Sequence, residues 1–169
     1  MHKHFVRMIT VMFLLFWGTT SYAQTPQSSQ LLQETIYKSE SDHRQYQGIK
    51  LANNMTVLLV SDEKATKSLA AVAIPVGSME NPDSQLGLAH YLEHMVLMGS
   101  ERYPQSGDLS EFLQKHGGSY NASTASYRTA FYLEVENEAL AQATDRLADA
   151  LAEPLLNPVN ADRERNACS

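Results

Sequence analysis

His90-Tyr91-Leu92-Glu93-His94 is the stretch on which the reading of this chain turns. On a helix, His90 and His94 stand one turn apart and Glu93 lies three residues from His90, so the three side chains project toward one patch. Two neutral imidazole nitrogens on adjacent turns can hold one Zn²⁺, and a carboxylate beside them can take a proton from water. The order, H-x-x-E-H, reverses the more common H-E-x-x-H. A solvated helix with two surface histidines is the bland alternative, and the sequence on either side argues against it.

Outward from this segment the chain alternates strands and helices. The helix opens near Leu86, after a loop over residues 77–85 in which Asp83 or Ser84 can cap it, and closes at Gly99. A shorter helix from Ser106 or Asp108 to Lys115 has Leu109, Phe112 and Leu113 on its apolar side, and Gly117-Gly118 ends it. Upstream, Ile49 and Leu51, Asn53-Asn54, and Met55 to Val60 read as a β-hairpin whose turn tolerates positive φ. Leu69 to Val76 reads as a strand buried on both faces. Downstream, Ser119 to Ala125 and Tyr127 to Val135 alternate as two strands. Asn137 then caps a helix with Leu140, Ala143, Leu147 and Leu151 in one stripe. Pro154 and Pro158 bound the next loop. The order of elements predicts an α+β two-layer sandwich, with a mostly antiparallel sheet packed against helices.

Both termini carry expectations. Lys3 and Arg7, the apolar run from Met8 to Trp17, and Ser21-Tyr22-Ala23 before Gln24 read residues 1–23 as a signal peptide, so an exported, periplasmic protein is expected. The apolar run is well short of the ~20 residues that span a bilayer, so no stable membrane anchor is expected. Residues 24–45 read as a flexible lead-in, and 46–169 as one partial domain. Loss of the first segment removes two basic residues and takes the formal charge from −6 to −8. That balance argues against a nucleic-acid partner. The lone Cys168 has no intrachain partner for a disulfide.

The longer pattern is more specific than the five-residue motif. It runs Val76-Gly77-Ser78-Met79-Glu80-Asn81-Pro82, then Gly87-Leu88-Ala89-His90-Tyr91-Leu92-Glu93-His94-Met95, then Leu97-Met98-Gly99-Ser100. It continues through Tyr103-Pro104, His116-Gly117-Gly118-Ser119-Tyr120-Asn121-Ala122-Ser123-Thr124 and Tyr127-Arg128-Thr129-Ala130-Phe131-Tyr132. It closes with Arg146-Leu147-Ala148-Asp149-Ala150 and Arg163-Glu164-Arg165-Asn166-Ala167. From Tyr46 onward the chain resembles the pitrilysin/insulinase family of zinc metallopeptidases, the inverzincins. The resemblance implies the sandwich fold of LuxS and the mitochondrial processing peptidase, incomplete here at the C-terminus. It implies zinc as cofactor, bound by His90 and His94, with Glu93 as general base, and peptides as substrates. Asn121 and Ala122 match the strand edge that holds a substrate backbone.

The family's third zinc ligand is a glutamate, which its spacing puts about two residues beyond Ser169. Glu164 matches a family glutamate on the same helix and is a candidate supporting group or substitute ligand. The remainder of the same polypeptide, or a second chain, is therefore expected to complete the site. Two readings stay open: a zinc-dependent endopeptidase acting on small peptides or unfolded segments, and a non-catalytic fragment or peptide-binding module that lacks the third ligand. His116, before two glycines, reads more readily as a helix-end residue than as a ligand.

Overall fold

The computed structural model describes residues 28–161. Residues 1–23, read above as a signal peptide, lie outside them, as do Glu164 and Cys168. The chain divides into two compact units, residues 1–62 and 63–169, each with its own antiparallel sheet.

In the first unit, β2 (Gln45–Lys50) and β3 (Thr56–Ser61) form the expected hairpin, with Lys50 opposite Thr56. Asn54 takes a φ of 68° at its turn, and the Asn53 side chain accepts a hydrogen bond from the Met55 N–H. Asparagine suits this place because its short polar side chain lowers the penalty of the left-handed region. A short strand lies within residues 24–45. Gln30–Leu31 forms β1, which pairs with Lys50 and Ile49, and the Leu32 N–H donates to the Gly48 carbonyl. Two backbone pairs suffice to add a strand where composition offers little to bury.

The second unit carries the motif. Its sheet runs β4-β6-β5, from β4 (Lys67–Ile74), β6 (Thr129–Glu136) and β5 (Ser119–Thr124). Alternation along β6 turns Thr129, Phe131, Leu133 and Val135 inward. Opposite them lie Ile74, Val72, Ala70 and Ser68 of β4. Three helices cover this inner face: α1 (Leu88–Val96), α2 (Asp108–Lys115) and α3 (Leu140–Ala152). The core joins Val96, Leu109, Leu113, Phe131, Leu133, Val135, Ala139, Ala143 and Leu147, with Phe112, Leu140 and Leu151 packed at its border.

Two local expectations are corrected here. β4 is not buried on both faces; Leu69 is 66% exposed, because β4 is an edge strand whose outer face carries no layer among the described residues. Asn137 does not cap α3. It opens a short 3₁₀ turn, and its side chain accepts from Ser68 Oγ and donates to the Ala65 carbonyl, so it fastens the start of β4 instead.

Candidate metal centre

The motif segment is helical, and α1 brings the three predicted groups together. One potential ligand atom from each of His90, Glu93 and His94 falls within 4.8 Å of the others. The two Nε2 atoms approach to 3.2 Å, with the rings edge to face. Tetrahedral zinc with bonds of ~2.0–2.1 Å would separate two ligating nitrogens by roughly 3.3–3.4 Å. The pair is thus already spaced for one ion, and the donor set of two imidazoles beside a carboxylate suits zinc. His90 is exposed and His94 half-buried, which leaves the convergent nitrogens reachable, whereas Glu93 is only 8% exposed and faces the sheet.

Burying a carboxylate demands a partner. Here it is Thr124, whose hydroxyl donates to Glu93 Oε2. Thr124 is the last residue of β5, opposite Thr129, and shares the inward parity of Ala122. In the sequence, its parity with Ala122 on an alternating strand is the signal that turns Thr124 inward.

The helix is held from its other end as well. Asp83 and Ser84 do not cap it. Gly87 stands at the N-cap with φ 89°, and the Asn81 side chain accepts the hydrogen bond of the Ala89 N–H at 2.9 Å. Asn81 follows a loop stitched to the β5–β6 turn. The Ser78 and Met79 N–H groups donate to the Ala125 and Ser126 carbonyls, and Thr129 Oγ1 donates to the Val76 carbonyl. Glu80 accepts from the Gly77 N–H. Gly77 lies so close that an added Cβ would sit 2.2 Å from the Ala125 carbonyl oxygen. Helix, Glu93, strand end, turn and loop form a closed ring. Glycine and glutamate three residues apart could have suggested the loop's local closure, but nothing local marks an asparagine that reaches eight residues ahead.

β5 is an edge strand, and Asn121 and Ala122 lie on it, Asn121 exposed and Ala122 half-buried. The Ala122 N–H donates to the Asn121 side-chain oxygen at 2.9 Å. His116 is not near a metal-ligating group among the described residues; it terminates α2, its ring 4.6 Å from that of Phe112. Tyr127 is 67% exposed in the turn, Phe131 belongs to the core, and Tyr132 points to the outer face. The Tyr91 hydroxyl donates to the Ala161 carbonyl, which ties the helical turn at 158–161 to α1.

Comparison with known proteins accords with this geometry. Residues 56–169 match the family model described as Insulinase (Peptidase family M16), and the chain belongs to that family. It is 62% identical over 157 residues to "Protease 3" of Shigella flexneri, covering 93% of this chain and 16% of that protein. It is 42% identical over 138 residues to "Insulin-degrading enzyme" of Mus musculus, covering 82% of this chain and 14% of that one. The crystal structure of pitrilysin superposes with a TM-score of 0.80 at 66% identity, covering 83% of this chain and 15% of that chain. The chain thus spans only a minor part of the length of these relatives.

Proposed function

We propose that these residues form the metal-binding front of a zinc endopeptidase that hydrolyses small peptides or unfolded segments in the periplasm. The convergence of the His90 and His94 Nε2 atoms at 3.2 Å beside the buried Glu93 carries this reading. When bound, zinc would acidify a water and polarise a peptide carbonyl. Glu93 would take the proton released as water attacks that carbonyl, then deliver it to the departing amine. His90 and His94 would hold the ion. Asn121 and Ala122, on the free edge of β5, would align an extended substrate by strand addition.

A catalytic zinc takes three protein ligands and keeps a position open for water. With Glu93 serving as base, the third ligand is supplied by the rest of the polypeptide or by a second chain. Glu164 is a candidate supporting group or substitute for it. Peptides are the expected partners; the acidic balance disfavours nucleic acid, and no helix among the described residues is long and apolar enough to cross a membrane.

The test is the full-length protein with a fluorogenic peptide and zinc analysis. Glu93→Gln should lower kcat by about 10²–10⁴-fold and keep its zinc. Retained turnover in that variant would remove Glu93 from the role of base.

A further inference from the structure

Most of the contacts around α1 and its loop have a backbone group at one end at least. Thr124 is different, because its hydroxyl ends on the carboxylate oxygen of Glu93 itself. A glutamate has three rotatable side-chain bonds, and packing alone rarely selects one oxygen over the other. A carboxylate offers two acceptor oxygens, and a hydroxyl offers one donor hydrogen. Threonine is stiff at χ1, so a donor carried on it is aimed by the strand. The strand end is itself fixed. Thr124 pairs with Thr129, Thr129 is bonded to the Val76 carbonyl, and the next residue, Ala125, accepts from Ser78.

We propose that Thr124 is a positioning residue for Glu93. By occupying Oε2 it selects one carboxylate rotamer and leaves Oε1 as the oxygen that receives the proton. The inference rests on the peptidase reading above. It goes beyond it by assigning the two carboxylate oxygens different tasks, and by making a side chain on the substrate-holding strand responsible for the division.

The experiment compares full-length wild type, Thr124→Val, Thr124→Ala and Thr124→Ser with a fluorogenic peptide, alongside zinc analysis. Loss of the donor in Thr124→Val should lower kcat about 10–100-fold with KM and zinc content unchanged. Thr124→Ala, which adds no apolar branch, should show the same fall, and Thr124→Ser should restore most of the rate. A crystal structure of the valine variant should show Glu93 in more than one rotamer. Wild-type kcat in the valine and alanine variants overturns the proposal. So does a rise in KM alone, or a serine variant as impaired as valine, since that would make shape rather than the donor the cause. Failure of the underlying reading looks different: wild type and Glu93→Gln would then be equally inert.

Discussion

Arg102 clamps the connection between α1 and α2 onto α3 through Asp149. Its Nε lies 2.7 Å from Asp149 Oδ1, and its backbone N–H donates to Oδ2 at 3.0 Å. The same guanidinium grips Asp145 with both terminal nitrogens. The Arg102 side chain, and then the Ser100 side chain, hold the Asp149 carboxyl down at about 2, below its ordinary 3.8. A depressed folded-state value stabilises the fold above the unfolded value, and that contribution is lost as pH falls through the folded one. The melting temperature should therefore drop on acidification from about pH 4 toward pH 2. Asp149→Asn should lower the melting temperature at neutral pH and flatten the acid loss, as followed by circular dichroism melts of both proteins. A variant with an unchanged acid profile would show that other carboxylates dominate.

Removing either imidazole should cost the metal before it costs the fold. His94 is only half-buried, so His94→Ala leaves little cavity and should melt close to wild type. Zinc affinity should fall by at least about 10–100-fold, the effect seen even for groups that merely support a ligand. Competition with a chromogenic chelator measures this directly.

The loop that seats α1 should be intolerant of small changes. Gly77→Ala would drive a methyl group to within 2.2 Å of the Ala125 carbonyl oxygen. A displacement of this kind costs about 1–3 kcal/mol. Asn81→Ala loses the acceptor for the Ala89 N–H and should cost about 1 kcal/mol, as helix caps do. Denaturant titration gives both values. Because both changes act on the helix that carries Glu93, kcat should fall with stability.

Leu113 is wholly buried at the centre of the core. Leu113→Ala should cost about 2–5 kcal/mol through lost burial and the cavity left behind. The expected result is a lowered denaturation midpoint and weaker soluble expression, with the zinc geometry of the folded fraction intact.

The parts of this fold written in short-range periodicity were legible. The i, i+4 spacing of His90 and His94 located the His90, Glu93 and His94 cluster, the β6 alternation located the sheet's inner face, and Asn53-Asn54 located a hairpin turn. Contacts that join distant segments were not. Asn81 reaches over a loop to the helix start, Thr124 meets Glu93 across 31 positions, and Asn137 turns back to β4 rather than capping its own helix. Burial of β4 was misjudged for a related reason. Small and β-branched residues mark a strand, whereas the number of layers that cover it depends on what packs there. The ordered pair Gln30–Leu31 escaped because backbone pairing asks nothing of side-chain composition.

The pairing of β5 with β6 also acts as a check on assembly. Strand side chains alternate between faces, so a slip of one residue in this pairing would turn every β5 side chain over. Thr124 would swing away from Glu93 in the same motion that displaced Asn121 and Ala122 along the edge. The contact to Glu93 and the edge that carries Asn121 and Ala122 thus stand or fall together. A mispaired hairpin would therefore lose both features in one step, whatever the rest of the fold retained.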